Sequence, residues 1–140
     1  MCFTVIWAVP SKDFTEPFRD FTENQLGVRP EASGHRIVST RVRQPATTFT
    51  LTVRMCDCDA VIGLGDGEAH PEEISAEAFV SWLRGIPEVA HGIDRISLVR
   101  AWNEEGEVTP ATSTTVPIDA VDEHLLRDVG ENALLNIYYG

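Results

Sequence analysis

The chain is expected to fold as a single α+β domain over residues 1–140, on three observations. Apolar residues recur with a period of two in several short segments and with the helical period in others. Cap and turn residues such as Gly27, Pro45, Ser75 and Gly130 punctuate those segments. Its 140 residues, 43% hydrophobic and 24% charged, suit one ordinary globular domain with enough chain to bury a core.

Residues 2–9 alternate, with Phe3, Val5, Trp7 and Val9 on one face and Cys2, Thr4, Ile6 and Ala8 on the other. That pattern predicts a first strand. Asp13 or Thr15 can cap a helix with Pro17 in its first turn, an apolar stripe of Phe14, Phe18, Phe21 and Leu26, and Gly27 as its stop. A polar loop follows. Residues 35–43 then predict a second strand with Val38, Thr40 and Val42 on one face, and 44–47 a turn. Residues 48–56 predict a third, with Phe49, Leu51, Val53 and Met55 inward. Ser75 caps a second helix, with Ile74 and Phe79 as a hydrophobic staple and Gly85 and Pro87 at its end. Residues 94–102 predict a fourth strand, 103–106 a hairpin turn, and the threonine-rich segment through Val116 its partner. Pro117 and Asp119 open a short third helix closed by Gly130, and 133–139 predict the last strand. In this order the elements match the split βαβ of ferredoxin-like antiparallel sheets, with a C-terminal strand-helix-strand extension. The likeness is one of architecture, which does not carry function.

In that topology the third strand lies between the first and second, antiparallel to both. Setting Val9 opposite Phe49 pairs every apolar partner up to Phe3 with Met55, and the next pair is Cys2 with Cys56. A four-residue turn sets Arg43 opposite Thr48 and carries His35 to Cys56, while Cys58 projects to the same side. Cys2, Cys56, Cys58 and His35 then form the ligand set of a closed Cys3His site, with zinc or another soft metal as its cofactor. Asp57 and Asp59 would raise the thiol pKa values, which favours metal ligands over nucleophiles. An odd cysteine count argues against a disulfide framework.

Twenty-two acidic and eleven basic side chains give a net charge of −11. That balance disfavours nucleic acid or an anionic membrane as partner and suits a basic protein. With no long apolar run and no basic residues before the first strand, the protein is expected to be cytoplasmic and outside the membrane. Arg41, Arg43 and Arg54 are placed among threonines on an open sheet face that could support a homodimer.

Other features weigh less. Cys2 could become an N-terminal nucleophile after loss of Met1. The amidohydrolases that work this way resemble this start only in Met-Cys, and their following glycine is Phe3 here. The loop Gly63-Leu-Gly-Asp-Gly67 lacks the Lys-Ser/Thr of a phosphate loop and is read as a mobile cover over the cysteine corner. His70 is a substitute for His35. No catalytic set can be argued from spacing. The chain thus reads as a small non-enzymatic metal-binding protein, against an acidic inhibitor-type or immunity-type interaction module without metal, or a thiol enzyme.

Overall fold

Residues 3–10 are apolar on both sides and end up in the middle of a sheet. The computed structural model describes residues 2–102 and 106–140. Its elements are β1 (Phe3–Pro10), α1 (Glu16–Leu26), β2 (Arg36–Ile37), β3 (Ala46–Thr50), α2 (Ala76–Gly85), β4 (Arg95–Trp102), β5 (Glu107–Val108), β6 (Thr112–Pro117), α3 (Glu123–Arg127) and β7 (Ala133–Tyr138). A five-stranded sheet has the order β3-β1-β4-β7-β6, antiparallel except for β6 beside β7. The parallel β6–β7 pair needs a crossover, and α3 lies within it.

The three helices cover one face. Val5, Trp7, Val9, Leu98 and Ile137 pack there against Phe18 of α1, Trp82 of α2 and Leu126 of α3. Thr15, Ser75 and Asp122 cap the helices, their side-chain oxygens accepting the N–H of Phe18, Ala78 and Leu125. Gly27, with φ of 78°, closes α1 in the left-handed conformation that glycine adopts without strain. Trp82 is fully buried and meets Trp7 edge-on at 5.1 Å. Its indole N–H donates to Thr22 Oγ1 at 2.9 Å, and that hydroxyl donates to Phe18 O at 2.8 Å. A Thr22→Val variant keeps the volume but strands a buried donor, so it should lose about 2 kcal/mol in urea unfolding. An unchanged unfolding midpoint would show that the indole finds another partner.

Several expected elements differ. The segment 35–43 does not flank β3. Val42 N donates to Ser39 O and Arg41 N to Ser39 Oγ, a turn that interrupts the strand. Only β2 survives, paired in parallel with β5 away from the main sheet. Residues 32 and 33 touch the outer edge of β3 instead.

The face expected to be open is covered. Ile37, Val42 and Val108 lie on Ile6, Ala8, Val99 and Leu134 in a second apolar cluster. The arginines expected on that face are dispersed, with Arg41 in the Ser39 turn, Arg43 on Asp94 and Arg54 near Asp59.

The third strand stops at Thr50, with Val53 39% and Met55 99% exposed rather than inward. Most of the expected hairpin turn (103–105) lies outside the described residues. Past it, β6 lies beyond β7 rather than beside β4. Residues 118–120 form a 3-10 turn, and α3 begins after Asp122. Among the described residues no helix is long and apolar enough to cross a membrane.

Candidate metal centre

The start of β1 extends past the end of β3, which leaves its outward N–H and C=O groups without a strand partner. The chain supplies substitutes. After Thr50 it loops out and returns so that Asp57 N donates to Phe3 O at 2.9 Å. The Asp57 carboxylate turns inward, accepting Val5 N–H at 2.7 Å and the Thr52 hydroxyl at 2.9 Å. Phe3 N–H donates to Cys58 Sγ at 3.2 Å. One buried carboxylate and one sulfur thus complete the edge of β1, as backbone groups must be satisfied.

This turn gathers the three thiols. The sulfurs of Cys2, Cys56 and Cys58, all part-buried and unoxidised, lie within 4.8 Å of one another. They meet by a route other than the ladder predicted for them. The observed register sets Trp7, not Val9, opposite Phe49, a slip of two residues that preserves the faces. Asp57 brings Cys56 and Cys58 back to Cys2 after the ladder has ended.

His35 is elsewhere, which corrects its place in the ligand set. Its ring bonds Ser33 Oγ and its carbonyl accepts from Thr48, whose strand partner is Ala8. Six residues of β1 separate that point from Cys2, roughly 20 Å at strand rise. The interruption of 35–43 by its turn is the cause. His70 does not join the sulfurs either, since its Nδ1 accepts Glu72 N–H. Nor is the glycine loop a free cover: Gly63 N and Gly65 N donate to Leu126 O and Arg127 O, and the Arg127 guanidinium returns to the carbonyls of Gly65 and Gly67.

The thiols are electrostatically unequal. Hydrogen bonds from the Cys2 thiol first, then from the Cys58 backbone N–H and thiol, hold Cys56 below the usual thiol pKa. The nearby Asp57 charge opposes this but is outweighed. Cys2, whose thiol keeps its proton and shares it with Cys56, is raised by that bond and then by desolvation. Asp57 thus raises the Cys56 thiol as expected, but the hydrogen bonds to that sulfur set the net direction.

Arg100 joins the site without having been expected there. It continues the core-facing alternation of Ile96 and Leu98, and its guanidinium carbon lies 3.5 Å from the centre of the Phe3 ring. Burial lowers its pKa, while Cys58, Glu131 and Asp57 raise it in that order. Room for its side chain requires Gly63: a Cβ there would stand 2.3 Å from Arg100 Cδ and 2.9 Å from Val129 O, at φ +80°. A charged residue in register with a core stripe was the available signal.

Asp57 and Glu73 line a small cavity of about 10 Å³ beside Trp7 and Phe79, room for a single water at most. Burial raises the pKa of both carboxyls.

Fold and site define an α+β protein that carries a three-thiol cluster at the rim of its sheet. Compared with protein-family models, with curated proteins and with solved structures, the chain matches none.

Proposed function

We propose that this protein binds zinc or another soft metal ion through Cys2, Cys56 and Cys58. The observation that carries the reading is the mutual approach of three sulfurs from two distant stretches of chain. Thiolates bound to one zinc ion at about 2.3 Å stand roughly 3.8 Å apart, so the cluster needs only a small contraction.

Two features prepare it for negative charge. Phe3 and Cys58 direct backbone N–H groups at sulfur, and Arg100 places a cation beside it. Three thiolates around a divalent ion carry a net charge of −1, which the guanidinium offsets.

With His35 absent, the ligand set is open rather than closed. Zinc held here would keep a fourth position for water or an added ligand, whereas a softer ion such as Cu(I) accepts thiolates alone. Sulfur ligation needs no catalytic group, and the reading remains that of a binding protein.

Cadmium titration of the reduced protein tests it. One equivalent should produce a sulfur-to-metal charge-transfer band, protect all three thiols from a disulfide reagent, and release them to a chelator. Rapid reaction of every thiol in the presence of cadmium, with no band, would leave the cluster without a metal role.

A further inference from the structure

We infer that a cavity of about 180 Å³ at the far end of β1 from the cysteines binds a small organic monocarboxylate with an apolar body. Ala8 and Ser97 belong to its lining on the covered face of the sheet, and Val42, Pro45 and Ala46 wall it. An apolar cavity of about 150 Å³ accommodates benzene, so the body is of about that size.

Charge selects an anion. The chain carries twice as many acidic as basic side chains, yet Lys12, Arg43 and Arg95 line the cavity against one carboxylate, Asp94. Asp94 pairs with Arg43 at 3.3 Å, and Lys12 reaches Asp13 at 2.8 Å. Arg95 donates to the Arg41 carbonyl at 2.9 Å and, among the described residues, makes no ion pair. With Asp13 counted beside the lining residues, three cations meet two carboxylates and one positive charge remains, the complement of a monoanion.

A polar handle completes the site. Ser97, 2% exposed, donates its hydroxyl proton to Asn136 Oδ1, and Asn136 Nδ2 is buried without a partner. The pair therefore holds a spare donor. Turning the amide passes that donor to the Ser97 hydroxyl, which lines the cavity and can donate to a carboxylate.

Titration of the 15N-labelled protein with benzoate and with benzyl alcohol tests the site. Benzoate should give saturable amide shifts at Ala8, Ala46 and Ser97, and bind about tenfold more tightly than the alcohol. Arg95→Gln, at the cavity rim, should reduce benzoate affinity to that of the alcohol while leaving the spectrum folded. The proposal is overturned by no saturation up to about 10 mM, by equal affinity for the two probes, or by benzoate binding that ignores Arg95→Gln. Shifts centred on Cys56 and Cys58 instead would overturn it too, by placing the anion at the thiol cluster.

Discussion

Replacing Cys56 with serine should abolish stoichiometric metal binding, weakening cadmium affinity by more than about a hundredfold. Loss of an outer partner alone costs a metal site ten- to a hundredfold, and a lost ligand costs more. Cys56 lies within 4.8 Å of both other sulfurs, and Cys2 and Cys58 hold its pKa down. Its proton leaves more readily than that of an ordinary thiol, whereas a serine hydroxyl stays protonated and hard. The side chain is only part-buried and belongs to neither apolar cluster, so the fold should survive. Circular dichroism should thus be unchanged while the charge-transfer band disappears. His35→Ala is the control, and its band should match the parent because that ring sits with Ser33 at the other end of β1. A Cys56→Ser protein that binds cadmium as tightly as its parent would remove the cluster from the metal-binding account.

Asp57→Ala should be the more damaging change to stability, at about 3–4 kcal/mol in urea unfolding. It strands the buried Val5 N–H and the part-buried Thr52 hydroxyl, and a buried group left unsatisfied costs roughly 1–3 kcal/mol. It also frees the turn that returns Cys56 and Cys58 to β1, so cadmium affinity should fall with it. Asp57→Asn separates shape from charge, since an amide oxygen can still accept from Val5.

The pH dependence then has a definite sign. Burial raises Asp57 above the ordinary value of 3.8, against the pull of Val5 N–H, the Thr52 hydroxyl and the Arg100 charge. The folded protein accordingly holds this proton more tightly than the unfolded chain does. Asp57 contributes its full stabilisation below pH 3.8 and loses it as pH rises through the elevated value. Glu73 acts in the same direction. The stability of Asp57→Asn relative to the parent should therefore rise over that window. A difference independent of pH would show that the Asp57 carboxyl titrates alike in the folded and unfolded chains.

Much of the fold was legible along the chain because it is local. Period-two alternation located β1 and β4, and Thr15, Gly27 and Ser75 marked helix ends through their own side chains or lack of one. The failures share a cause. Residues 35–43 and 51–56 alternate well enough for strands, but side chains compete for the backbone there: Ser39 holds a turn, and Asp57 takes the N–H that a longer β3 would have met. The meeting of the cysteines was anticipated, though through a register that the chain does not adopt.

Sequence alone determined which segments could be strand or helix, which residues were apolar enough to be core, and that three soft ligands lay near segment ends. Their neighbours were decided in three dimensions. Tertiary structure excluded His35, brought in Arg100, covered the second face of the sheet and used one carboxylate as a substitute strand edge. Periodicity is written in adjacent residues, whereas pairing is a competition among distant groups for the same hydrogen bonds and the same buried surface, settled only once the whole chain has packed.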